Sequence, residues 1–223
     1  MPNASDLFSI VDSYIGDLYA PEDDVLLAAL GDARAAGLPE IQVSPAQAKF
    51  LYLMARLVGA RRILELGTLG GYSTIWLARS LPPGGRLTTF EVDPKHAAVA
   101  TRNIARAGLA DVVDVIVGPA TETLPRFIDA DEAAIDLVFL DADKVNYGAY
   151  FAQFMRRVHG GSLILADNVI RQGTVLSPSP GDPSALAARV FNAMIATDER
   201  LEAVILQQVG IKGHDGLTVA RVK

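Results

Sequence analysis

Apolar residues recur at helical spacing over residues 4 to 19 and again over 21 to 36, before any stretch that reads as a strand. Pro21 is placed as a first-turn residue and Gly37 as a stop, so two helices are predicted ahead of the sheet. A third helix is predicted from Ser44-Pro45, with Ser44 as its N-cap, through Phe50, Leu51, Met54 and Leu57 to Gly59. From there the pattern changes to short, nearly continuous apolar runs separated by helical ones. The runs fall at Arg62 to Leu66, Arg86 to Asp93, Val112 to Val117, Ile135 to Leu140 and Ser162 to Ala166. Helices are predicted between them at 73–78, 94–108, 121–129 and 147–158, the last closed by Gly160-Gly161, and after them at 184–198. Residues 171–183, RQGTVLSPSPGDP, carry three prolines and two glycines and read as an irregular loop. Leu201 to Val209 and Leu217 to Val222 flank the turn residues of 210–216 and form a terminal hairpin. Strands without polar alternation are covered on both faces. The expectation is therefore an α/β fold: a doubly wound, seven-stranded, mainly parallel sheet with a C-terminal antiparallel hairpin.

Length and composition narrow this further. The 223 residues fit one domain, 1–223, with residues 1–42 as a helical accessory segment that covers a site, meets another subunit or simply adds packing. Half of the residues are hydrophobic, enough to cover a sheet on both sides. Lysine and arginine total 20 against 26 acids, a net charge of −6, so a broad basic surface for nucleic acid or anionic lipid is not expected. There are no cysteines, which excludes disulfides, thiolate metal sites and a cysteine nucleophile. The N-terminus lacks a basic and apolar leader pattern, and no stretch approaches a membrane span; a cytoplasmic protein is expected.

The candidate chemistry lies at the ends of the predicted strands. In a parallel sheet these ends border the crevice that holds the ligand. After the first strand come Gly67, Gly70 and Gly71, with Glu65 just before them. This order differs from the G-x-G-x-x-G that admits a pyrophosphate and suits a ligand with an ammonium group, which disfavours a nicotinamide oxidoreductase. Glu65 should face a cationic or hydroxyl-bearing partner. An acid at the end of the second strand, Glu91 or Asp93, is placed for ribose hydroxyls, and Glu91 is favoured. Asp141, Asp143 and Lys144 follow the fourth strand, and Asp167 and Asn168 the fifth. Carboxylates and an amide carbonyl are hard oxygen donors suited to Mg²⁺ or Ca²⁺, and a lysine beside such a cation can serve as a base.

The glycine turn with its preceding acid, ELGTLGGYS, resembles the first motif of class I S-adenosylmethionine-dependent methyltransferases. Together with LDADKVNY and ADN it is similar to the cation-dependent O-methyltransferases that act on catechol and caffeoyl-CoA, from about Val43 to the end of the chain. The resemblance implies a Rossmann-like class I methyltransferase fold. It also implies that Asp141, Asp167 and Asn168 bind a divalent cation, Mg²⁺ or another such as Ca²⁺ or Mn²⁺, and that Lys144 is the base on the acceptor hydroxyl. S-adenosylmethionine would be contacted by Val43, Glu65, Gly67, Thr68, Ser73, Glu91, Ala120, Asp141 and Asp143, with Glu91 on the ribose and Asp93 left as a helix-start residue. The expected reaction is methyl transfer to a hydroxyl of a catechol-like, vicinal dihydroxy phenol. The same chemistry on a hydroxylated tRNA nucleoside is the alternative, and a homodimer is implied.

Arg171 stands where the plant relatives carry an aromatic residue after the Asp-Asn pair, and Gln172 takes a neighbouring position often filled by Asn. Arg171 could recognise a carboxylate or a phosphate, or solvate the loop. His96, His159 and His214 do not pair at ligand spacing and read as surface or capping residues, with His159 at a helix C-terminus. Trp76, Phe50 and Met54 read as core.

Overall fold

A computed structural model describes residues 4–130 and 133–223. Residues 1–3 of the accessory segment lie outside them. Three helices lead in: α1 (Ala4–Tyr19), α2 (Asp24–Ala35) and α3 (Pro45–Leu57). Helix α2 starts later than its sequence pattern implies, because Asp23 rather than Pro21 sets its N-terminus: the Asp23 side chain accepts from Leu26 N. The cap of α3 is as expected, with Ser44 Oγ accepting from Gln47 N and Pro45 in the first turn.

The alternating part follows as β1 (Arg62–Leu66), α4 (Tyr72–Ala78), β2 (Arg86–Glu91), α5 (Pro94–Arg106), β3 (Val113–Val117), α6 (Ala120–Ala130), β4 (Ile135–Leu140), α7 (Tyr147–Phe154) and β5 (Val158–Ala166). Helix α8 (Pro183–Thr197) and the hairpin β6 (Leu201–Gly210) and β7 (Gly213–Val222) complete the chain. The sheet has seven strands in the order β3-β2-β1-β4-β5-β7-β6. Strands β1 to β5 pair in parallel, and β7 runs antiparallel between β5 and β6.

Alternation within each strand divides the core in two. Ile63, Leu137, Phe139, Leu163 and Leu165 pack toward α3, α4 and α5. Leu64, Leu66, Val138, Leu140 and Ile164 face the opposite layer, which holds Tyr147, Phe151, Phe154 and Phe191. Both faces are apolar, which is why the strands read as continuous apolar runs. Among the described residues no helix is long and apolar enough to cross a membrane.

Two expectations are corrected between α7 and β5. The helix ends at Phe154, not Val158, and Gly160-Gly161 lies inside β5 rather than stopping a helix. The cause is tertiary. Gly161 has φ +100°, the register shifts between Ile135 and Leu137, and a Cβ on Gly160 would stand 2.9 Å from the Lys223 carbonyl oxygen. His159 is consequently on a strand, with Nε2 2.9 Å from Asp136 Oδ1. That contact raises the His159 pKa, and the Asp136 pKa is lowered by the same contact and by the Arg62 and Arg61 amides bonded to its other oxygen. The loop over 171–183 also holds more order than its composition implies, since Arg171–Leu176 forms 3₁₀ turns. The hairpin strands extend to Gly210 and Gly213, leaving only residues 211 and 212 between them.

Candidate active site

The C-terminal ends of β1, β2, β4 and β5 open into one cleft of about 1240 Å³. Val43, Gly67, Thr68, Ser73, Glu91, Ala120, Asp141, Asp143, Lys144, Asp167 and Asn168 all line it. Of the residues expected to hold the cofactor or cation or to act as base, Glu65 alone does not. Glu65 lies two positions from Ile63 and so shares its face, under α4 rather than in the crevice. It is fully buried; one oxygen accepts from Ser73 Oγ at 2.6 Å and the other from Thr74 Oγ1. Burial pushes its carboxyl up to about 7 against the pull of those hydroxyls. The hydroxyl-bearing partner expected for Glu65 is thus α4 itself.

The glycines between β1 and α4 answer to close packing within the chain. Gly67 has φ +101°, and a Cβ there would sit 2.0 Å from the Asp141 carbonyl oxygen. Gly71 has φ +85° and lies against the Ala100 backbone of α5. Asn103 of α5 is fully buried and donates to Gly70 O at 2.9 Å and Ala29 O at 3.3 Å, tying the turn to α2 as well. Glu91 completes the loop's support: Oε2 accepts from Leu69 N at 2.8 Å and Thr68 N at 3.3 Å, and Oε1 accepts from Asp93 N at 3.0 Å. Asp93 caps α5 by accepting from Lys95 N. The glycine turn is therefore held rigid from β2, β4 and α5 before any ligand arrives.

On the other side, β4 and β5 deliver the acids. Asp167 is almost wholly buried, and burial followed by the nearby Asp141 charge pushes it up to about 7. Lys144 opens a short 3₁₀ turn and is buried, its Nζ 3.1 Å from Asp141 Oδ1, 3.0 Å from Ala142 O and 4.8 Å from the centre of the Tyr147 ring. Asp143 is fixed by Tyr150, whose hydroxyl donates at 2.6 Å, and by the Asn146 amide. Tyr147 is fully buried with its hydroxyl 3.0 Å from Leu140 O and 3.1 Å from Asp167 O, so it bridges the ends of the two acid-bearing strands. Asn168 adopts φ +55°, an unusual conformation for a residue with a Cβ, and Asn168 N donates to Asp167 Oδ1 at 2.8 Å.

The buried Asp167, the half-buried Asp141 and the Asn168 amide, with the Lys144 amine beside Asp141, form a donor set that fits a hard divalent cation. The elevated Asp167 carboxyl reflects its burial first and the neighbouring Asp141 charge second. Gln47 of α3 also faces Asp167, but its buried Nε2 has no aligned hydrogen-bond partner.

Several lining residues escaped the sequence reading because chain separation hides them. Asp12 of α1 reaches across to the hairpin tip and accepts from Ile211 N at 3.0 Å, while Lys212 donates to Glu40 O at 2.8 Å. These contacts hold residues 207–213 over the cleft. Asp12 is one of several polar residues on α1, and nothing in its spacing marks it out.

Comparison with known proteins bears on what such a cleft does. The family model for O-methyltransferases matches residues 20–223. A catechol O-methyltransferase from Niastella koreensis is 51% identical over 217 residues, covering 97% of this chain and 98% of that protein. Another from Mycobacterium tuberculosis is 47% identical over 222 residues, covering 100% of this chain and 97% of its own. Among solved structures, an O-methyltransferase from Bacillus cereus in complex with SAH superposes with a TM-score of 0.95 at 44% identity, covering 98% of this chain and 99% of that one.

Proposed function

The chain belongs to the O-methyltransferase family, and on that premise we propose that it moves the methyl group of S-adenosylmethionine to one hydroxyl of a catechol-like acceptor with the help of a divalent cation, Mg²⁺ first among candidates. The observation that carries this reading is the convergence of Asp141, Asp167 and Asn168 beside the buried Lys144 on the same cleft as the glycine turn. The names of the two catechol O-methyltransferases that resemble this chain support the acceptor class.

The cofactor supplies an electrophilic methyl on a sulfonium. Val43, Gly67, Thr68, Ser73, Glu91, Ala120, Asp141 and Asp143 are the residues proposed to hold it. Ser73 Oγ spends its proton on Glu65, so its lone pairs face the cleft as acceptors for an ammonium; Glu65 acts from behind, by orienting that hydroxyl. Glu91, with both oxygens already bonded to backbone amides, is fixed in place to accept from ribose hydroxyls.

A divalent cation held by Asp141, Asp167 and Asn168 would acidify an acceptor hydroxyl and orient the pair. Lys144, with Nζ as the neutral amine, takes the hydroxyl proton and becomes the ammonium that pairs with Asp141. Its Nζ is held by Asp141 Oδ1 and Ala142 O, so the amine is positioned before the acceptor enters. The oxygen thus freed attacks the methyl carbon in line, the new O–C bond forming as the C–S bond breaks and S-adenosylhomocysteine leaves, and most of the acceleration comes from holding oxygen and methyl in contact and excluding water.

The working unit proposed is one methyltransferase domain, 1–223, in which residues 1–42 are an accessory segment. A homodimer belongs to the same reading, since α1 leaves Leu7, Ile10, Tyr14, Leu18 and Tyr19 exposed. Sedimentation is expected to give twice the chain mass of 23.7 kDa, and a monomer at micromolar concentration contradicts the dimer.

The test of the acceptor class is labelled methyl transfer from S-adenosylmethionine to catechol, to phenol and to undermodified tRNA. Catechol is expected to be methylated about a hundredfold faster than phenol, which lacks the second oxygen. Transfer to tRNA with none to catechol would reassign the acceptor and keep the chemistry. The net charge of −6 favours the small molecule, as RNA affinity rests on phosphate contacts.

A further inference from the structure

Beyond the metal-side residues, the chain continues through Val169 and Ile170 to Arg171, which lines the cleft. Four basic side chains border the cleft among the described residues: His96, Lys144, Arg171 and Lys212. Three have partners inside the protein. Lys144 sits on Asp141, Lys212 on the Glu40 carbonyl, and His96 faces Glu91 at 3.7 Å. Arg171 differs. Its Nε is buried without a hydrogen-bond partner, and among the described residues its guanidinium forms no ion pair.

The backbone holds this side chain at some cost. Arg171 and Gln172 both have positive φ, +52° and +54°, ahead of Gly173 at +82°. Consecutive left-handed residues with side chains are uncommon and gather at functional sites. They are pinned by Asp215 of β7, whose Oδ1 accepts from Ile170 N at 3.0 Å and Arg171 N at 2.9 Å, and by Thr174 Oγ1, which donates to Arg171 O at 2.8 Å. The Asp215 oxygen is engaged by the backbone and leaves the Arg171 charge unmatched. A guanidinium presents Nε–H and one Nη–H as a planar fork that fits a carboxylate edge.

Resting on the catechol reading above, we propose that Arg171 selects the acceptor: its guanidinium binds a carboxylate carried on the substituent of the phenol ring, beyond Asp167 and Asn168. The sheet order supports the placement. Glu91 and the glycine turn stand over β2 and β1, whereas Arg171 follows β5, so the anion it binds comes from the acceptor end of the cleft.

The test compares pairs of catechols that differ in charge and little else, 3,4-dihydroxybenzoate against 3,4-dihydroxybenzamide and caffeate against its amide, in wild type, Arg171→Gln and Arg171→Lys. Wild type is expected to favour an acid over its amide by about tenfold or more in kcat/KM, through KM, the size of one charge-assisted pair. Arg171→Gln should bring that ratio near one, and Arg171→Lys should keep part of it, having the charge without the fork. Glutamine suits the backbone, as Gln172 already holds the same conformation. Equal kcat/KM for acid and amide in wild type, or a preference that survives in Arg171→Gln, overturns the assignment and leaves the catechol reading standing. No transfer to any of the four brings down both.

Discussion

Lys144→Ala is expected to lower kcat for catechol methylation by about 10²- to 10⁴-fold, the usual weight of a positioned general base. The amine is 7% exposed, so bulk water cannot easily replace it. Two roles must be separated, because Nζ also balances Asp141 at 3.1 Å. Lys144→Arg does so: guanidinium preserves the positive charge but is never deprotonated at working pH. If proton removal is the function, Lys144→Arg is as inactive as Lys144→Ala. Recovery of wild-type kcat in the arginine variant would mean that charge alone matters. Cofactor affinity, followed by calorimetry, distinguishes a catalytic loss from a collapsed site.

The second large effect is expected from removing the cation. Asp141 and Asp167 come from neighbouring parallel strands whose last paired residues are Leu140 and Ala166, so the sheet itself forces their side chains together. Tyr147 fixes the strand ends by touching both Leu140 O and Asp167 O. Without a divalent ion the Asp167 carboxyl is pushed up to about 7, by its burial first and by the Asp141 charge second. With the cation removed nothing draws the acceptor's two oxygens to Asp141 and Asp167, and Lys144 must abstract a proton from an unacidified phenol. Chelation is expected to reduce turnover at least a hundredfold, since both orientation and acidification are lost.

Much of this was legible in the sequence because it is encoded locally. Acids directly after an apolar run mark strand ends, and parallel pairing then brings Asp141, Asp143, Lys144, Asp167 and Asn168 to one edge without further information. The seven-stranded sheet with its antiparallel end follows from the same runs. What was not legible has a different origin. Glu65 is one residue short of the strand end, so pleat parity turns it under α4 toward Ser73 and Thr74. Gly160-Gly161 looks like a helix stop, but the need is set by Lys223, distant in the chain. The hairpin tip is held by Asp12, about two hundred residues away, a contact that periodicity cannot reveal. The turn glycines were legible as glycines for close approach, yet the surfaces approached are Asp141 and Ala100.

The central claim is that Asp141, Asp167, Asn168 and Lys144 act together on an acceptor hydroxyl. Its most direct measurement is the initial rate of catechol methylation by protein stripped with EDTA, titrated with Mg²⁺, for wild type and Asp167→Asn. The wild-type rate should rise from near zero to saturation with added Mg²⁺, and Asp167→Asn should need far more cation or stay inactive. Full turnover in EDTA, unchanged by added Mg²⁺, would contradict the account.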